Sequence, residues 1–280
     1  MMNLIRADLY RIVRGKAIYI TFAVLLALCA LIVITMSPGA VGGVDIAMFD
    51  SETGDITRPI YLFVDDVGAL YDFHFDGVRI AQVFLSNIDN MIFFILPLAI
   101  LVASPMFSHG TVKNNISIGM SRTKLYLSQL GLSSILCVVL VLSYIAAGIV
   151  LATIIRGFGG PAPDGFWLNI VQTYLAQMVM LLALNAFATF LVFATKRTAI
   201  VNGAYIAFCY VPSLIIYFLA MRNQEFLRLL EFDIPFNMIL LGHMASIETS
   251  QIIQALALGA GMFAVSTTTG IALFSRAEIK

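Results

Sequence analysis

Six apolar stretches punctuate the chain, at residues 17–36, 90–107, 125–155, 165–195, 198–221 and 249–275, and none of them holds an Asp, Glu, Lys or Arg. Crossing about 30 Å of hydrocarbon takes about 20 helical residues, so each run suffices for one passage and even the longest falls short of two. Backbone groups facing lipid must be satisfied within their own segment, and no period-two barrel pattern runs through these stretches. The pattern therefore predicts an all-α membrane protein with six transmembrane helices.

The segments between the runs have patterns of their own. In "NLIRADLYRIVRGK", Ile5, Leu9, Ile12 and Val13 fall at helical spacing while Arg6, Asp8, Arg11 and Arg14 occupy other faces. This predicts an amphipathic helix over residues 1–16, lying at the inner membrane surface with its cations near anionic lipid headgroups. Residues 37–89 form the largest polar segment, expected as an outer loop, with a small strand pair over "RPIYLFV" and the alternating "YDFHFD". There Asp72, His74 and Asp76 share one edge, read as a solvated strand face rather than an incomplete metal shell. In residues 222–248 apolar pieces too short to cross are broken at Pro235 and Gly242, which predicts one or two short outer helices before the last span. No internal repeat or flexible linker divides the chain, so residues 1–280 read as a single membrane domain.

Composition agrees with the pattern. The 280 residues are 60% hydrophobic and 11% charged, with a mean hydropathy of +0.96. A water-soluble core within a polar shell cannot accommodate such values. The formal charge is zero, but it is segregated. With the amino terminus inside, the cytoplasmic segments carry 11 of the 16 basic residues and two of the 16 acids, net +9; the outer segments carry five basic residues and 14 acids, net −9. The Lys/Arg bias sets this orientation, with both termini cytoplasmic. The uncharged run of the first span exceeds the 7–15 residues of a typical signal-peptide core, so it is read as a retained helix. Cys29, Cys137 and Cys209 all fall within spans and provide no disulfide framework for the loops.

Catalytic chemistry is hard to build from this sequence. A phosphate-cradling loop needs G-x-x-x-x-G-K-[ST], and the nearest stretch, "YRIVRGKA", has Tyr10 and Ala17 at two required positions. The three histidines, His74, His109 and His243, fall in separate loops without triad or ligand context. No enzymatic activity and no bound cofactor are expected of the chain itself. Ion-driven carriers place ionisable groups in the membrane, and these spans have only neutral polar residues. Gln172, Gln177 and Asn185 are candidate pathway-lining groups, with helix-to-helix hydrogen bonding as the equal alternative.

One inner segment stands apart. In "HGTVKNNISIGMSRTKLYLSQL", Thr111 is placed to cap a short helix bearing Val112 and Ile116, Gly119 to end it, and Ser121 to cap the third span. Val112 and Ile116 offer apolar contact to a partner, and Lys113, Asn114 and Asn115 polar register. The loop, residues 108–124, resembles that between the second and third helices of ABC-2 type transporter permeases, G-T-[IV]-[KR]-N, then S-x-G-x-[ST]-R, then an aromatic-Leu-Ser step. The matching residues are Gly110, Thr111, Val112, Lys113 and Asn114, then Ser117, Gly119, Ser121 and Arg122, then Tyr126, Leu127 and Ser128. Where members often carry an acid about four residues before the G-T pair, this chain has Met106.

The resemblance implies a permease subunit of an ATP-driven exporter in a bacterial plasma or inner membrane. It implies a coupling loop, comprising Gly110, Thr111, Val112, Lys113, Asn114, Ile116, Ser117, Gly119, Ser121 and Arg122, seated on a separate ABC ATP-binding subunit that holds ATP and Mg. A second permease copy or a sister permease completes the unit, membrane lipids surround it, and no nucleic acid is expected as a partner. Relatives of similar size with an acidic outer face resemble antimicrobial-peptide or lantibiotic immunity permeases, which implies a peptide or amphipathic toxin as substrate. Two other readings stand beside this one: a non-transporting membrane anchor or sensor scaffold, and a self-powered secondary transporter.

Overall fold

The computed structural model describes residues 2–35, 48–49, 56–57, 76–108, 112, 116–117, 119–162, 165–243 and 249–276. Among these the chain is almost entirely helical, and six helices are long and apolar enough to cross a membrane: Lys16–Thr35, Ile88–Phe107, Arg122–Arg156, Phe166–Thr195, Thr198–Ala220 and Thr249–Arg276. Their bounds fall within a few residues of the apolar runs. In chain order the elements are α1 (Met2–Arg14), α2 (Lys16–Thr35), the two-residue strands β1 (Met48–Phe49) and β2 (Ile56–Thr57), α3 (Ile80–Ser86), α4 (Ile92–Ala103), α5 (Pro105–Ser108), α6 (Arg122–Arg156), α7 (Phe166–Thr195), α8 (Thr198–Ala220), α9 (Ile234–His243) and α10 (Thr249–Arg276). A 3-10 turn, Ile88–Met91, leads into α4, and a 3-10 helix, Gln224–Phe232, joins α8 to α9.

α7 is the axis of the bundle. Two thirds of its most apolar window is buried inside the protein, against about a tenth for α8, which lies at the periphery. Its inward positions carry small and polar side chains that let neighbours approach, including Ala176, Ala183, Ala186, Ala188 and Thr189. Gly259 of α10 meets it closely: a Cβ there would press on Val179 and the Met180 backbone. α6, at 35 residues, extends about 52 Å at 1.5 Å per residue and so overhangs the hydrocarbon layer at its ends.

The ends of these helices are fastened by arginines. The Arg11 guanidinium donates to the Val102 carbonyl at the end of α4 (3.2 Å), Arg122 to Ser275 (2.8 Å) and Phe274 (3.4 Å) at the end of α10, and Arg156 to Val33 at the end of α2 (2.7 Å). The last carbonyls of a helix lack intrahelical donors and carry partial negative charge, so a guanidinium both pairs and neutralises them. These bonds also sort the helix ends into two sets. One end of the bundle gathers α1 and the starts of α2 and α6 with the ends of α4 and α10; it carries Arg6, Arg11, Arg14, Lys16, Arg122, Lys124 and Arg276. The other gathers the ends of α2 and α6 with α3 and α9.

That second end differs from expectation. Residues 80–86, expected as part of an outer loop, form α3, and all seven of its residues are buried against α6, α7 and α9. Phe84 fits over Gly148 of α6, where a Cβ would strike its ring, and lies 4.6 Å from the Tyr144 ring. A buried half-helix must have its ends satisfied by protein. Asp76 accepts from the backbone amides of Val78 (3.2 Å) and Arg79 (2.9 Å) and pairs with the Arg79 guanidinium (3.2 Å). At the other end Gln177 of α7 donates to the Leu85 carbonyl of α3 (3.0 Å) and the Met238 carbonyl of α9 (2.8 Å), clamping the two short helices together. Gly242 permits that approach, because a Cβ there would run into the Leu85 carbonyl and Ser86 Cα.

Two short helices precede the last span as the sequence predicts, the 3-10 segment and α9, with Pro235 at the start of α9 and Gly242 near its end. Asn237 holds them together by donating to the carbonyls of Glu231 and Asp233, both at 2.8 Å. The only strand pairing among the described residues joins Met48 with Thr57 and Phe49 with Ile56, upstream of the expected pair; Asp72 and His74 lie outside the described residues.

Candidate functional site

The basic end of the bundle is built on a plate of rings. Phe107 follows α4, Tyr126 opens α6, Phe193 closes α7 and Phe274 closes α10. Tyr126 and Phe193 have centroids 4.8 Å apart, Phe193 and Phe274 4.9 Å, and Phe107 and Phe193 5.2 Å, all in edge-to-face arrangement. Such rings gain both burial and favourable edge-to-face electrostatics. Gly270 makes room for the plate, since a Cβ there would strike the Tyr126 hydroxyl.

Two described residues of the loop between α5 and α6 are anchored in the core of the bundle. Val112 is 4% exposed and belongs to the same core, and Ile116 and Met120 pack against it. The sequence reading offers Val112 and Ile116 to a partner; the structure instead turns both toward the chain's own interior, where they root the loop. Buried apolar side chains at the foot of a short loop cost nothing in solvation and fix its position. Ser117 is exposed. Gly119 sits at φ +90°, the conformation that lets the chain reverse, and its amide donates to the Ile116 carbonyl (2.9 Å). Ser121 then caps α6, its side chain accepting from the Lys124 amide at 3.4 Å. Arg122 ties this start of α6 to the end of α10. Gly110, Thr111, Lys113 and Asn114 lie outside the described residues. Met106 is 2% exposed. An unpaired carboxylate could not be kept there cheaply.

α1 contributes to the same end, but by a different face from the one its pattern offers. Ile12 is 3% exposed and Ile5 half-buried, whereas Leu9 and Val13 remain exposed. Asp8, drawn as a polar position, is buried: its carboxylate accepts from the Gln129 side chain of α6 (2.7 Å) and pairs with Arg11 (3.2 Å). An acid on the packed face of an amphipathic helix leaves no trace in hydrophobic periodicity, and only the partner Gln129 in the middle of an apolar run hints at it.

The three candidate pathway residues are dispersed along α7. Gln172 is half-buried. Gln177 is fully buried as the clamp on α3 and α9, and its Oε1 has no partner. Asn185 is fully buried and donates to Ser133 (3.0 Å) and Ser134 (3.2 Å) of α6, with Thr189 within 3.4 Å of Ser133 Oγ. Gln177 and Asn185 are thus engaged between helices through their amide groups, and the carboxamide oxygen of each has no partner.

Sequence reasoning passed over Asp233. It stands between the 3-10 helix and α9, 8% exposed, and accepts from Ser213 Oγ of α8 (2.8 Å) and the Phe236 amide (3.0 Å). Burial pushes its carboxyl above the usual carboxylate range, and the bonds from Ser213 and Phe236 pull it partly back. The sequence signal was the Asp-Ile-Pro step, an acid placed to cap a helix that opens with proline.

No family model matches the chain, and no curated protein matches it in sequence.

Proposed function

We propose that this chain is the permease subunit of an ATP-driven exporter, a single transmembrane domain in a bacterial plasma or inner membrane that borrows its energy from a separate ABC ATP-binding subunit. The basic end, with both termini, faces the cytoplasm. The loop of residues 108–124 is the coupling element, and ATP and Mg are bound by the partner. α1 lies along the inner membrane surface, presenting Leu9 and Val13 to lipid. A second copy or a sister permease completes the unit, and a peptide or amphipathic toxin is the cargo.

One observation carries this reading: in the most basic region of the protein a loop with exposed Ser117 and Gly119 is anchored in the bundle core through Val112 and Ile116. Val112 and Ile116 hold it to the core, the ring plate links α4, α6, α7 and α10, and Arg122 joins α6 to α10. A push on the loop is thereby delivered to several helices at once. Coupling of this kind requires the two nucleotide states of the partner to contact the loop with different free energies. The six apolar runs contain no ionisable residue with which the chain could follow a proton or sodium gradient.

Gentle extraction from the native membrane tests the proposal. The chain is expected to bring an ATP-binding subunit with it, and Lys113→Glu is expected to remove that subunit while leaving the folded chain intact. Recovery of the chain alone, with solute movement that follows an ion gradient or with none at all, would contradict the proposal and favour a secondary carrier or a membrane anchor.

A further inference from the structure

At the end of the bundle opposite the loop, a cleft of about 530 Å³ opens between α8 and α10 and is floored by the 3-10 helix and the start of α9. Its walls are apolar: Phe208 and Ile216 of α8, Leu229 and Phe232 of the 3-10 helix, and Gly261 and Met262 of α10. Asp233 lines the same cleft. Both of its hydrogen bonds end on Oδ2, and among the described residues Oδ1 accepts none and no cation pairs with the carboxylate. Pro212, also in the wall, has no amide to give the Phe208 carbonyl one turn back.

A serine or asparagine would cap α9 without a charge. Asp233 is buried, lines an apolar cleft and has no counter-ion among the described residues, so a cation arriving in the cleft would stabilise its charged form. The cleft volume falls in the range that encloses drug-sized molecules, roughly 300–1,000 Å³. We propose that this cleft binds a small lipophilic monocation, its apolar body against Phe208, Phe232 and Met262 and its positive centre at Oδ1 of Asp233. One acid matches one positive charge; a polycationic peptide would leave its other charges unpaired in the same apolar walls. The exposed apolar side chains along α8, among them Val211, Ile215 and Phe218, place the mouth of the cleft where a molecule dissolved in the bilayer reaches it. The site goes beyond the peptide or amphipathic toxin proposed as cargo, and its test needs no ATPase, so it fails or succeeds separately from the coupling reading.

The full chain in phosphatidylcholine nanodiscs would be titrated with tetraphenylphosphonium, with neutral triphenylphosphine oxide and with the anion tetraphenylborate, subtracting empty discs. Saturable binding of the cation is expected, weakened at least about tenfold by Asp233→Asn, with the neutral compound unaffected by that change. Asparagine retains an oxygen for the Phe236 amide, so α9 keeps its cap. Gly261→Phe fills the cleft: a Cβ at Gly261 meets nothing within 4 Å, and the ring is expected to abolish binding of cation and neutral compound alike. Equal binding of cation and anion, absence of saturable cation binding, or full cation binding by either variant would overturn the proposal. Should Asp233→Asn fail to fold, Gly261→Phe decides alone.

Discussion

At the basic end of this protein, long side chains reach across helix termini to carbonyls, and rings meet edge to face; at the opposite end, backbones touch backbones, with a glycine where two short helices meet and a single glutamine spanning both. Arg122 and Arg11 make their bonds through flexible stems at the rim of the bundle, where lost contacts are replaced by water at little cost. Gln177 and Gly242 have no such latitude, because their partners are buried carbonyls of α3 and α9. The difference separates a region held by replaceable side-chain links from one held by close backbone contact, and it predicts where substitutions will hurt stability most.

The largest stability loss is expected for Gly242→Leu. Its side chain must displace the Leu85–Ser86 backbone, so α3 and α9 part at a cost of about 3 kcal/mol or more, read as a lowered thermal midpoint in detergent. Gln177→Glu comes next, since it sets an acceptor against two carbonyl oxygens and is expected to cost about 2–3 kcal/mol. Gln177→Leu is milder, about 1–2 kcal/mol, because it also removes the unpartnered Oε1. A Leu variant less stable than the Glu variant would break the account of the clamp.

At the basic end the effects shrink. Asp8→Ala leaves the buried Gln129 side chain without its partner and is expected to cost about 1–2 kcal/mol, with protease access to α1 as the readout. Arg122→Gln is expected to change stability by less than about 1 kcal/mol, as for other exposed polar links, and, on the proposed permease reading, to reduce stimulation of the proposed ATPase partner. Equal losses of stability from Arg122→Gln and Gly242→Leu would erase the distinction between the two ends.

Much of the bundle was legible in sequence because a membrane span declares itself by length and by the exclusion of charge; all six helices fall on the six apolar runs. α3 was not. Its seven residues, "IAQVFLS", are too few to show a period and include Gln82 and Ser86, so nothing marks them as buried until Gln177 and Gly242 are brought beside them. In the loop, Gly119 and Ser121 act as their types suggest, at a positive φ and as a helix cap. The packing of Val112 and Ile116 against the core was not legible, because an apolar pair on a short helix is equally suited to a partner or to the chain's own core. Asp8 and Asp233 share a cause: each is a lone acid whose burial depends on a neighbour distant in sequence, Gln129 for one and Ser213 for the other.

The central claim of the proposed function is that the loop between α5 and α6 is a cytoplasmic docking point. Labelling of Ser117→Cys with a membrane-impermeant maleimide tests it most directly, because Ser117 is exposed whereas Cys29, Cys137 and Cys209 are buried. The account predicts labelling in inverted vesicles, none in intact cells, and protection when the ATP-binding subunit is present. Labelling from outside intact cells would contradict it.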